Sequence, residues 1–216
     1  MAITLLPKPA IAQLGSTLTI ASSAVLVKEL LDNSLDAGST AVDIFISTDT
    51  VERIEVRDNG CGIPAEDFHL LGQRSCTSKL DNVGDLERIG GSSLGFRGQA
   101  LASIHELADV AIVTRTSQET VGSVLRLSPE GGAIKVQSKA SPPGTTVTVH
   151  GLFQCFPVRR RVAEAGAKKT VASITELLKG YAMARPHISF GPFISVDSRP
   201  LSPERGTVKA ISLFYD

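Results

Sequence analysis

The chain has 216 residues, 42% of them hydrophobic and 20% charged, enough to bury one substantial core with a partial second unit beside it. Its 22 Lys and Arg residues balance 22 Asp and Glu residues, which excludes a chain-wide basic field for nucleic acid and leaves room only for a local patch. Cys61, Cys76 and Cys155 form no C-x-x-C pair, and His69, His105, His150 and His187 show no zinc spacing, a pattern that fits reduced thiols better than a disulfide framework.

The opening MAITLLPKPAIAQLG is a short apolar stretch broken by two prolines, read as neither signal peptide nor membrane span, since a span needs about 20 apolar residues. From Ser22 to Ala37 the periodicity is helical. Leu26, Val27, Leu30, Leu31 and Leu35 fall on one arc, and Lys28, Glu29, Asp32, Asn33 and Asp36 fall on the other. Ser22 or Ser23 caps this helix and Gly38 ends it. Val42, Ile44 and Ile46 then alternate with Asp43, Phe45 and Ser47, and Ile54 and Val56 with Arg53, Glu55 and Arg57, which predicts an antiparallel strand pair turning at Thr48 to Thr50.

Asp58-Asn59-Gly60-Cys61-Gly62 breaks the second strand, and Pro64 opens a short helix to about Leu71. Gly72 to Gly98 is rich in glycine and serine, with a short helical piece around Asp85 to Ile89; a long loop in a compact domain is usually functional. Gly98 to Leu107 reads as a helix, and Val110 to Thr116, Val121 to Leu127, Ile134 to Ser138 and Thr145 to His150 read as strands. The fold class expected is α+β, an α/β sandwich of a mixed sheet with helices on one face.

Past Gly151 the composition shifts. Pro157 and Arg159-Arg160-Arg161 lead into a helix striped by Val171, Ile174, Leu177, Leu178 and Tyr181, and the tail from Pro186 holds two strand-like pieces and a last helical fragment. The division expected is 1–155 as one domain and 156–216 as part of a second α/β domain.

Four pieces fit what a nucleotide site requires. Glu29 and Asn33, four apart on one helix face, can orient a water and ligate Mg²⁺, although the same pair also suits a solvated face. Asp58, beside Gly60 and Gly62, offers a carboxylate to the adenine amine, although D-N-G is also a common turn. Gly95-Phe96-Arg97-Gly98 enters a helix whose free N–H groups suit polyphosphate. Gly144-Thr145-Thr146 opens a strand and by itself is merely a turn.

Together these pieces match a Bergerat-type nucleotide fold. Val27-Lys28-Glu29-Leu30, Asn33-Ser34-Leu35-Asp36-Ala37-Gly38, Asp58-Asn59-Gly60-Cys61-Gly62-Ile63, Thr77-Ser78-Lys79, Gly95-Phe96-Arg97-Gly98, and Leu152-Phe153 with Pro157-Val158-Arg159-Arg160 resemble the MutL family of DNA mismatch-repair proteins, within the GHKL superfamily. The wording is most like the eukaryotic PMS-type branch. The resemblance implies a GHKL ATP-binding domain over 1–155 with a lid at 72–98, and a transducer-like second domain begun at 156–216.

By matching position, the resemblance implies Glu29 as general base and Asn33 as Mg²⁺ ligand. It implies ATP contacts at Asn33, Ala37, Asp58, Gly60, Gly62, Ile63, Thr77, Ser78, Lys79, Gly95, Phe96, Arg97, Gly98, Gln99, Ala100, Leu101 and Thr145. ATP would order the lid and drive amino-terminal dimerisation. The implied partners are a MutL-type subunit in a heterodimer, MutS-type mismatch-recognition proteins and DNA bound without sequence preference, in the nucleus. Arg159, Arg160 and Arg161 suit DNA phosphates, or packing and ion pairing at the domain junction. Ala24 stands where the family has a carboxylate, Gln99 where it commonly has Glu, and no Asn-Val-His-Pro segment with its phosphate-reaching lysine is present. These departures motivate the alternative of an ATP-responsive interaction module with little hydrolysis. No nuclease region is expected.

Overall fold

The structure is a computed structural model in which residues 8–73, 99–128, 131–191, 193–196 and 209–211 are described. Helix α1 spans Lys8–Thr19 and α2 spans Ser23–Asp36, followed by strands β1 (Ala41–Ser47) and β2 (Arg53–Asp58) and a 3₁₀ turn at Ala65–Leu70. After α3 (Ala100–His105) come β3 (Asp109–Arg115), β4 (Gly122–Leu127), β5 (Ala133–Lys139) and β6 (Gly144–His150). Helices α4 (Pro157–Ala165) and α5 (Ala167–Ala184) precede β7 (Ser189–Phe190), β8 (Phe193–Val196) and β9 (Lys209–Ile211).

Among the described residues the strands form a nine-stranded mixed sheet in the order β5-β4-β3-β6-β2-β1-β8-β9, with β7 also paired to β1. The expected hairpin is present: β1 runs antiparallel to β2 with Ile44 opposite Val56, while β7 and β8 join β1 in parallel. Alternation decides the faces. Val42, Ile44, Ile46, Ile54, Val56, Val110, Ile112 and Val149 point into one buried cluster with Leu26, Leu30 and Leu31 of α2 and Ile174 and Leu178 of α5. The opposite face carries Arg53, Glu55, Arg57, Thr146, Thr148 and His150 along an open groove of about 450 Å³. Helices on one face of a mixed sheet are what the periodicity predicts.

Four details differ from the sequence reading. The opening segment is helical from Lys8 to Thr19, because Pro9 falls in the first turn, where its missing N–H costs nothing. The helix after Pro157 is two helices: the Gly166 N–H takes the Val162 and Ala163 carbonyls and closes α4 before α5 starts. Asp32, placed by its periodicity on the solvated arc, is buried at 3% exposure. The last described piece, Lys209–Ile211, is a strand and not a helical fragment, and it pairs antiparallel with β8. The described part of 156–216 thus extends the sheet begun by 1–155 and packs α5 on α2. No single helix among the described residues is long and apolar enough to cross a membrane.

Candidate functional site

Asp58 ends β2 where β6 begins, so the carboxylate faces backbone N–H groups from two directions. Its Oδ1 accepts the Gly60 N–H at 2.9 Å and the Thr145 N–H at 3.1 Å, and its Oδ2 accepts the Ser34 hydroxyl of α2 at 3.0 Å. Burial pushes the Asp58 carboxyl above its ordinary pKa, and these bonds pull the other way. A carboxylate has about four lone-pair positions, and the described residues fill three of them, which leaves one acceptor position on Oδ2 suited to a ligand N–H.

Glycine is required around this group. Gly144 sits at φ +121°, and a Cβ there would lie 2.1 Å from the Asp58 carbonyl oxygen. A Cβ on Gly60 would lie 2.8 Å from the Ala37 Cβ, and the Ala37 carbonyl accepts the Cys61 N–H at 3.0 Å. Thr114 of β3 braces the far side. Its Oγ1 accepts the Ile63 N–H at 2.8 Å and lies 3.1 Å from the Thr145 Oγ1, which fixes the Gly62-Ile63 chain against the sheet. The structure thus gathers Ala37, Asp58, Gly60, Gly62, Ile63 and Thr145 into one hydrogen-bonded and close-packed cluster.

Glu29 and Asn33 share a face of α2, with Glu29 half-buried and Asn33 exposed. No group of three or more His, Cys, Asp or Glu side chains able to hold a metal occurs among the described residues. A hard cation beside Asn33 would therefore take most of its oxygens from a polyphosphate, which suits Mg²⁺ and its preference for phosphate and water. Gln99, Ala100 and Leu101 open α3, which packs on α1 and α2; the Gln99 carbonyl accepts the Ser103 N–H at 2.8 Å and Leu101 rests on the core. At six residues α3 adds little macrodipole, so what it can offer an anion is the N–H groups of its first turn. Thr77, Ser78, Lys79, Gly95, Phe96, Arg97 and Gly98, with all of the 72–98 lid past residue 73, lie outside the described residues.

The arginine run divides by position. The Arg159 Nη2 donates to the carbonyls of Thr17, Ile20 and Ala21 at 2.8, 3.3 and 2.9 Å, and its guanidinium lies 4.5 Å from the Phe153 ring centre. Arg160 pairs with Glu52 at 2.6 Å and Glu164 at 2.9 Å. Arg161 is exposed. Of the two uses read for this run, packing and ion pairing describe Arg159 and Arg160.

Residues 21–144 match the family described as histidine kinase-, DNA gyrase B- and HSP90-like ATPases. The chain belongs to this family. Within it the chain is 38% identical, over 89% of its length, to the DNA mismatch repair protein MutL of Thermodesulfovibrio yellowstonii, and spans 34% of that protein. It is 37% identical, over 84% of its length, to the human mismatch repair endonuclease PMS2, and spans 21% of it. Bacterial MutL proteins reach 41% identity, in Shewanella pealeana, against 37% for PMS2, so the bacterial wording is the nearer of the two.

Among solved structures, the fold superposes on the N-terminal domain of a DNA repair protein with a TM-score of 0.76 at 27% identity, covering 93% of this chain and 55% of the other. It also superposes on the Aquifex aeolicus MutL ATPase domain complexed with ADP, with a TM-score of 0.55 at 28% identity, covering 88% of this chain and 64% of that one. The expected MutL-type GHKL fold is borne out.

Two side chains that brace the Asp58 cluster escaped the sequence reading. Ser34 follows Asn33 but turns to the inner arc of α2, and Thr114 is a polar residue in the inward register of Val110 and Ile112. A hydroxyl at a core position was the available signal, because buried hydroxyls need partners.

Proposed function

We propose that this chain is the ATP-binding and ATP-hydrolysing region of a MutL-type mismatch-repair protein. The observation that carries it is the Asp58 pocket, with an acceptor left open on Oδ2 between α2 and β6, beside a helix face that presents Glu29 and Asn33. Asp58 holds the adenine amine, and α2 lays the polyphosphate end along Glu29 and Asn33. Glu29 orients a water on the γ-phosphate and accepts its proton, so catalysis is mostly positioning and electrostatics. Asn33 would help hold Mg²⁺, which when bound supplies charge neutralisation to the phosphates.

Nucleotide ordering of the 72–98 segment and amino-terminal dimerisation follow as parts of the same proposal. So do a MutL-type partner subunit, a MutS-type partner and DNA held without sequence preference, with Arg161 the exposed member of its run. Residence in the nucleus rests on the PMS-type wording of the motifs alone.

The test is Glu29→Ala. Affinity for ATP is expected to persist while phosphate release falls about 10²- to 10⁴-fold, the usual worth of a general base. Full steady-state release by this variant would remove Glu29 from the mechanism. Binding without release in the unmodified chain would favour the second reading, an ATP-responsive interaction module, for which Ala24 and Gln99 speak.

A further inference from the structure

Asp32 lies on the same helix as Glu29 and Asn33 but is turned inward, 3% exposed. Its Oδ2 takes the Lys28 ammonium at 2.5 Å, and its Oδ1 accepts the hydroxyl of Tyr181, which stands on α5, 149 residues away in the chain. A buried carboxylate is tolerated only when its lone pairs are filled, so this contact is a strong tie between two helices. Burial, the bond to Asp32 and the charges of Asp32, Glu29 and Asp36 all raise the Tyr181 pKa, which keeps the phenol protonated as a donor.

The helical period makes the arrangement informative. At about 100° per residue, Asn33 lies about 40° from Glu29, Ser34 about 140° on the same side and Asp32 about 60° on the other. Glu29 and Asn33 therefore sit between two ties. Ser34 bonds Asp58 on one flank, and Asp32 bonds Tyr181 on the other. A helix held on both flanks cannot rotate, and rotation is what would swing Glu29 and Asn33 away from the phosphates.

We propose that Tyr181 is a positioning residue of the nucleotide site, acting through Asp32 to fix the rotation of α2 and with it the direction of Glu29 and Asn33. This rests on the ATP-site reading given above. Loss of the phenol hydroxyl leaves the Ser34–Asp58 tie intact, so the adenine end and the phosphate end should respond differently.

The experiment compares the unmodified chain with Tyr181→Phe and Asp32→Asn. In Tyr181→Phe, ADP affinity without Mg²⁺ is expected to stay within about twofold, while the Mg²⁺-dependent gain in ATP affinity and the rate of phosphate release each fall about tenfold, a modest cost for misplaced groups. Asp32→Asn keeps an oxygen that can accept the phenol and is expected to fall between the two; it decides the matter if Tyr181→Phe does not fold. Because the chain has two tyrosines and no tryptophan, Tyr215→Phe leaves Tyr181 as the sole fluorophore. Its emission should change with Mg·ATP and not with ADP alone. A chain that binds no ATP would sink the site reading and this proposal with it. One that binds ATP, with Tyr181→Phe indistinguishable from it, would sink this proposal alone. Equal losses for metal-free ADP and Mg·ATP would also overturn it, as a general packing defect.

Discussion

Asp58 and Arg159 are mirror images in chemistry. One is a carboxylate cradled by the amides of Gly60 and Thr145, the other a guanidinium cradled by the carbonyls of Thr17, Ile20 and Ala21. They differ in what is left over. Asp58 retains an open acceptor position on Oδ2, whereas one nitrogen of Arg159 already faces three carbonyls and its planar face lies on Phe153. Through Nη2, Arg159 thus caps carbonyls at the end of α1 and ties that end to Phe153. A charged group held by backbone marks a ligand site only where it sets an unfilled position among backbone groups that a ligand can also reach.

The largest effect should come from the Asp58 side. Gly144→Ala puts a methyl 2.1 Å from the Asp58 carbonyl oxygen at a φ of +121°, so β6 must pull away from β2 at the point where the Thr145 N–H reaches Oδ1. The expected cost is about 3 kcal/mol in chemical denaturation, together with loss of nucleotide binding. The Arg159 contacts lie elsewhere and should be spared in the chain that still folds. Retained nucleotide affinity in Gly144→Ala would mean that the pocket does not depend on this close approach.

Arg159→Ala should come next. It strips the carbonyl caps from α1 and the cation from Phe153, for an expected loss of about 2 kcal/mol, with nucleotide affinity unchanged. Arg161→Ala, at an exposed position, should stay within about 0.5 kcal/mol. If Arg161 holds a DNA phosphate, its removal lowers the salt slope of binding by about one, and Arg159→Ala does not. Equal stability losses in the two variants would erase the distinction between a used and a free arginine.

The same comparison explains what was legible in the sequence. Short-range periods gave α2, the β1–β2 hairpin and the strands from β3 to β6, because alternation and the helical repeat depend on neighbours. The Glu29, Asn33 and Asp58 pieces were legible because they sit on those elements. Asp32 was not, because its arc on α2 is mostly polar and only a tyrosine 149 residues later takes up one position of it. The role of Arg159 was hidden for the same reason, since its acceptors belong to a helix at the far end of the chain. That helix was itself missed because two prolines near its start read as breakers, although a proline in the first turn fits a helix.

The smallest effect, and the most diagnostic, is the pH dependence of Asp58. Burial holds its carboxyl above the ordinary value of 3.8, so between that value and the raised one the folded chain keeps a proton that the unfolded chain has released. The native state then binds more protons than the unfolded state, and this group's contribution to stability falls as pH rises through the window. Nucleotide affinity should run the opposite way, because the adenine amine needs an ionised acceptor, and should rise through the same window. Denaturation midpoints and ATP titrations from about pH 4 to about pH 7, taken as the difference between the unmodified chain and Asp58→Asn, isolate the group from other titrations. A stability difference that rises with pH would mean that the amides of Gly60 and Thr145 outweigh burial. Asp58 would then resemble Arg159, a charge whose main work is to hold the backbone around it.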